Sequence, residues 1–147
     1  MAIPILQNEL RCFVQSMYDE GIVNEQFFQI QYMKEMIRND YAVRAITSYC
    51  VSCTRLFSTL SDQICQNEVD FQRVRDLASE LYAISCSFGA KNVRFACVDL
   101  LHACERKDKN FCSQALNWTK NRFCHLRIKL ETLVQMERTI IDLLNIQ

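Results

Sequence analysis

The sequence predicts an all-α protein: an antiparallel up-and-down four-helix bundle with two additional N-terminal helices, in one domain over residues 1–147. Three observations lead there. The 147 residues hold only 2 glycines and 1 proline, where average usage would supply about ten and about seven. Sandwiches, barrels and doubly wound α/β folds need glycine, proline and Asn-Gly pairs at their chain reversals. Half of the residues are apolar, enough for a sizeable core, and their spacing follows the helical period nearly throughout. Gly21 and Gly89 stand 68 positions apart, which also excludes a glycine-rich phosphate cradle.

Each helix has its own signal. Leu6, Leu10, Phe13, Val14 and Met17 form a first amphipathic stretch that ends near Gly21. Asn24 is placed to cap a second, through Phe27, Phe28, Ile30, Met33 and Ile37, because its side chain can accept from a free first-turn N–H. Asn39-Asp40 breaks that helix, and Asp40 is the expected cap of a third, from Ala42 through Ile46, Tyr49, Cys53, Leu56 and Leu60 to Ile64. Gln66-Asn67-Glu68 is the next joint. A fourth helix, about 68–87, has two faces at 100° per residue. Val74, Leu77, Ala78, Leu81, Ser85 and Phe88 fall on one side. Gln72, Arg75, Ser79, Ala83 and Cys86 fall on the other, with Tyr82 at its edge. Gly89 is expected to end it in a left-handed conformation. A fifth helix carries Val93, Cys97, Leu100, Leu101 and Cys104 and stops at Arg106-Lys107-Asp108-Lys109. The last runs from about 111 to 145, about 50 Å at 1.5 Å per residue. Helices three to six make the bundle, and the first two pack against one end.

Charge and cysteine bound the setting. Lys+Arg and Asp+Glu both number 17, so no overall field favours nucleic acid or an acidic membrane. The mild basic lean of the last third, with Lys120, Arg122, Arg127 and Lys129, reads as a solvated helix face. No apolar run approaches the ~18 residues of a membrane span. The opening MAIPILQNELRCF lacks a basic n-region and turns polar by residue 7, unlike a signal peptide. The 9 cysteines are therefore expected to be reduced thiols, mostly buried as small hydrophobes. Cys50 and Cys53 form a lone C-x-x-C on the face of Ile46, Tyr49 and Phe57. Zinc would want a second pair or paired histidines, and His102 and His125 are 23 residues apart. No metal and no cofactor are expected. Asn117-Trp118-Thr119 has the form of a glycosylation sequon, which means little without secretion.

The segment Ser79–Val93, SELYAISCSFGAKNV, resembles the active helix of the plant histidine-containing phosphotransfer proteins, the shuttles of cytokinin two-component signalling. Their pattern is a His, two residues, Lys-Gly, a run of small and apolar residues, then Gly-Ala-Lys. Its tail is present as Ser85, Ser87, Phe88, Gly89, Ala90 and Lys91. Glu20-Gly21-Ile22-Val23-Asn24-Glu25-Gln26-Phe27, followed by Gln29-Ile30-Gln31, resembles the start of the family's second helix, and Leu130 to Ile141 its final one. The similarity spans roughly residues 10–145, and the helical layout agrees with the family fold.

Anchored on Gly89-Ala90-Lys91, the phosphoacceptor histidine falls on Ser79, the phosphate-neutralising lysine on Tyr82, and the glycine that admits a receiver domain on Ala83. Glu80 adds negative charge where a phosphoryl group would sit. All four departures weaken phosphate handling. Imidazole forms a labile phosphoramidate, whereas a serine hydroxyl needs a base and would give an ester too stable to relay. The resemblance thus implies a pseudo-phosphotransfer protein, not an enzyme. It would bind receiver domains of sensor histidine kinases and response regulators without carrying phosphate, as a competitive negative regulator. Gln72, Arg75, Ser79, Tyr82, Ala83 and Cys86 would form the docking stripe, with Phe27, Phe28 and Gln31 as a candidate extension, core packing of the two phenylalanines being at least an equal alternative. A monomer in cytoplasm and nucleus is expected on the same ground. Two other readings remain: an active relay using His102 or His125, or a helical adaptor outside phosphorelay that binds partner helices through its last helix.

Overall fold

A computed structural model describes residues 2–146 as six α-helices. They are α1 (Ala2–Asp19), α2 (Glu25–Met36), α3 (Tyr41–Ile64), α4 (Phe71–Phe88), α5 (Lys91–Arg106) and α6 (Lys109–Ile146). Helices α3 to α6 close a four-membered ring in which α3 and α5 each pack against both α4 and α6. The 38 residues of α6 outrun the 16 to 24 of its bundle partners, so its second half needs separate cover. Leu10, Val14 and Met17 of α1 supply part of it. Helix α2 lies against α3 and α4. The expected four-helix bundle, with two further helices at one end, is the architecture found.

Boundaries shift where local chemistry decides them. Helix α1 begins before Pro4, because a first-turn proline gives up an N–H that has no helical partner anyway. Helix α4 starts at Phe71, later than about 68, because Asp70 caps it by accepting from Arg73 N at 3.1 Å. Helix α6 starts two residues early, and Asp108 accepts from Phe111 N at 3.0 Å. Asn24 caps α2 as expected, accepting from Gln26 N at 3.0 Å. Asp40 precedes α3 but makes no side-chain cap. Its carboxylate instead holds Arg44 at 2.9 Å and Arg38, two cations that compete successfully with a backbone N–H.

The core is one contiguous cluster. Tyr49 and Phe88 stack with ring centroids 4.1 Å apart, and Phe27 meets Phe88 edge-on at 5.3 Å. Three helices are thereby pinned where α4 ends. The Tyr49 hydroxyl and Ser85 Oγ share a buried hydrogen bond of 2.8 Å, satisfying two polar groups that burial would otherwise penalise. The C-x-x-C pair reads as core: Cys53 is fully buried and Cys50 half-buried. Burial pushes the Cys53 and Cys97 thiols up to about 12.

Candidate functional site: the exposed face of helix α4

All six residues assigned to the inner face of α4 are buried: Val74, Leu77, Ala78, Leu81, Ser85 and Phe88. The opposite face is the stripe read from the sequence. Gln72, Arg75, Ser79 and Ala83 are exposed, while Tyr82 and Cys86 are half-buried at its margin. Tyr82 lies against the hydrophobic core, so its ring is anchored in a way that a lysine's ammonium would not be.

Ion pairs from neighbouring helices bracket this stripe. Arg55 of α3 reaches Glu80 at 3.2 Å, and Arg75 reaches Glu105 of α5 at 3.6 Å. Along α4, Gln72 donates to Asp76 at 2.9 Å. The two carboxylates nearest Ser79 in sequence are thus engaged elsewhere, and a serine nucleophile needs an adjacent base. Arg55 and Glu105 were not read from the sequence as part of this surface. Their partners are 25 and 30 residues away, and no local spacing announces such pairs.

The α2 residues do not extend the stripe: the phenylalanines take the core alternative, and Gln31 faces another side. Phe27 is 0% exposed and packs on Phe88. Phe28 turns to Tyr18, with centroids 5.2 Å apart. Gln31 accepts from Lys34 at 2.8 Å, on the side facing α1 and α6. The α2 residues beside the end of α4 are Gln26 and Gln29, which share a shallow depression with Ser87. Apolar residues run around much of α2, so its period alone did not say which side faced out.

Gly89 closes α4 with φ +88, as its position implied. Its carbonyl accepts from Asn24 N at 3.0 Å, and a Cβ there would stand 2.5 Å from Phe27 N. The turn is therefore the seat of the α2 N-terminus. Lys91 follows at the start of α5 and, with the Tyr18 hydroxyl bond as the larger cause, helps hold the Glu25 carboxyl below its ordinary range. His102 and His125 are exposed on α5 and α6. Among the described residues no group of three or more His, Cys, Asp or Glu side chains could hold a metal ion. No helix among them is long and apolar enough to cross a membrane.

A closed four-helix bundle presenting one face of a helix that ends in Gly-Ala-Lys is the build of a histidine phosphotransfer domain. Comparison with known proteins agrees. No family model matches the chain. It is 30% identical over 141 residues to histidine-containing phosphotransfer protein 2 of rice, covering 95% of each chain. The crystal structure of a histidine-containing phosphotransfer protein from maize superposes with a TM-score of 0.86 at 32% identity, over 92% of this chain and 99% of that one. A relative named pseudo histidine-containing phosphotransfer protein 6, from Arabidopsis thaliana, is 23% identical over 139 residues, 94% of this chain and 90% of its own. The chain belongs to the plant histidine-containing phosphotransfer family.

Proposed function

We propose that the chain is a pseudo member of this family, which occupies receiver domains of sensor histidine kinases and response regulators without accepting phosphate. The observation that carries the reading is the composition of the α4 face. The acceptor position holds Ser79, the lysine position Tyr82, and the glycine position Ala83, all on a surface otherwise suited to docking. Glu80 beside the acceptor position is a carboxylate whose pairing occupies Arg55, so Arg55 is not left as a free cation for a phosphoryl group. A chain with these features competes with working shuttles for the same receivers and lowers flux through cytokinin signalling, in the cytoplasm and the nucleus. The stripe of Gln72, Arg75, Ser79, Tyr82, Ala83 and Cys86 is the contact surface. It acts as a monomer, with no metal or cofactor.

A second reading has its own support. His102 and His125 are both exposed, and the rice and maize proteins at 30% and 32% identity carry the histidine-containing name without the qualifier. One assay separates the two. The purified chain is incubated with a receiver domain labelled on its aspartyl phosphate. Receiver binding with no acid-labile label on the chain is the expected result. Label that disappears on replacing His102 or His125 establishes the active relay instead. Absence of binding to any receiver removes the competitive role.

A further inference from the structure

Away from the α4 face lies a cleft of about 800 Å³ between α1, α2 and the second half of α6, within the range of small-molecule sites. Part of its wall is apolar: Leu10 and Val14 of α1, Phe28 of α2, Ile140 and Leu144 of α6. Tyr32 and Leu144 stand at it with 57% and 38% of their surface exposed, large apolar groups that an occupant would cover.

The polar part of the cleft is built. Lys34 crosses from α2 to Glu137 of α6 and bonds both carboxylate oxygens, at 2.9 and 3.2 Å. It also donates to Gln31 Oε1 at 2.8 Å. Glu137 is 1% exposed, and a buried ion pair holds a fold together no better than well-packed apolar residues would. Packing alone therefore does not explain its presence. Gln31 Nε2 is shielded and has no acceptor, an unpaired donor of the kind folded proteins rarely keep. Arg11, Lys34 and Arg38 line the cleft with Glu35 and Glu137, and Asp40 beside it brings the charges into balance. Lys34 answers Glu137, and Arg38 is engaged by Asp40 just outside. Among the described residues Arg11 of α1 and Glu35 of α2 have no ion-pair partner; of the two, only Arg11 has the unpaired Gln31 Nε2 as a fellow donor.

We propose that this cleft binds a small amphipathic monocarboxylic acid. The apolar body lies between α1 and α6. The carboxylate is drawn to Arg11 and accepts a hydrogen bond from Gln31 Nε2 once that amide turns into the cleft. Occupancy would cover the exposed apolar mouth, answer the free guanidinium and supply the missing acceptor in one step.

The test is a titration of the full-length, ¹⁵N-labelled chain with decanoate below its micellar range, followed by amide shifts. Decanol and decyltrimethylammonium serve as neutral and cationic controls. Saturable binding with a dissociation constant below about 1 mM is expected for an acid of this size, with shifts centred on Leu10, Gln31 and Ile140. Arg11→Gln, at an exposed position, should weaken decanoate about fivefold, the usual worth of one charge-assisted contact near the surface, and leave decanol unchanged. Gln31→Leu should weaken decanoate also. Equal binding of decanoate and decyltrimethylammonium, no saturation, or shifts centred elsewhere would overturn the proposal. Receiver binding is not involved in any arm.

Discussion

Gly89→Ala tests whether the Gly-Ala-Lys turn is kept for the fold or for phosphate. Gly89 has φ +88, and the left-handed region costs an L-residue about 1–2 kcal/mol. Gly21, with φ +75 and open space around it, would suffer that cost alone. At Gly89 the new Cβ also lands 2.5 Å from Phe27 N and 2.8 Å from Asn24 Oδ1. Both belong to the N-terminus of α2, so relief requires pushing that helix off α4. The move endangers the Asn24 cap, worth about 1 kcal/mol. It also strips the half-buried Asn24 N–H of the Gly89 carbonyl, about 1 kcal/mol at the low end of such losses. The expected loss is thus about 3–4 kcal/mol for Gly89→Ala, against about 1–2 for Gly21→Ala. Urea unfolding followed by circular dichroism reads both. With a slope near 2 kcal/mol/M, the midpoint falls by about 1.5–2 M for Gly89→Ala and by less than about 1 M for Gly21→Ala. Equal losses at the two glycines would refute the steric argument. So would a Gly89→Ala loss that changes when Ser79→His is present, because packing at this turn does not depend on the acceptor residue.

Ser79→His alone should restore little phosphotransfer, since Tyr82 and Ala83 still withhold charge and close approach. Adding Tyr82→Lys and Ala83→Gly should restore more, at about 1 kcal/mol of helix stability for the glycine, and full activity from the single change would show that those two positions matter less than argued. Iodoacetamide at pH 8 should first modify the exposed Cys12, Cys65 and Cys124. Cys53, Cys97 and Cys104, whose thiols burial pushes up to about 12, should react only on unfolding, and mass spectrometry that finds them labelled early would contradict this. The Arg44 hydrogen bond, with Arg38 beside it, holds the Asp40 carboxyl below the ordinary aspartate range. Asp40 therefore contributes stability above its unfolded pKa and loses it as pH falls through the lower folded value. Asp40→Asn should accordingly be less stable than the parent chain at pH 7 and level with it in strong acid. An equal gap at both pH values would count against the ion pairs.

What the sequence made legible was what adjacent residues decide. The two faces of α4, the Asn24 cap and the Gly89 stop rest on local period and backbone chemistry, and each lies where expected. The Arg55–Glu80 and Arg75–Glu105 pairs, the orientation of α2 and the cleft over Glu137 depend on which helix comes to lie beside which, and no helical period encodes that. One distinction along α4 required both kinds of information. The family pattern is retained at Ser85, Phe88, Gly89 and Ala90, all buried. Ser85, Phe88 and Gly89 bear on packing through the Tyr49 bond, the aromatic stack and the seat of α2, and Ala90 lies in the core cluster. In the proposed alignment the pattern is lost at Ser79, Glu80 and Ala83, which are exposed, and at Tyr82, which sits at the margin. Ser87 and Lys91 are the matching positions outside the core, and they adjoin α2 rather than the acceptor position: Ser87 beside Gln26 and Gln29, Lys91 near Glu25. A demand to fold keeps the first set of residues, whereas only a demand to carry phosphate would keep the second. On the proposed reading the division follows burial, the pattern expected of a chain that holds its shape without the transfer chemistry.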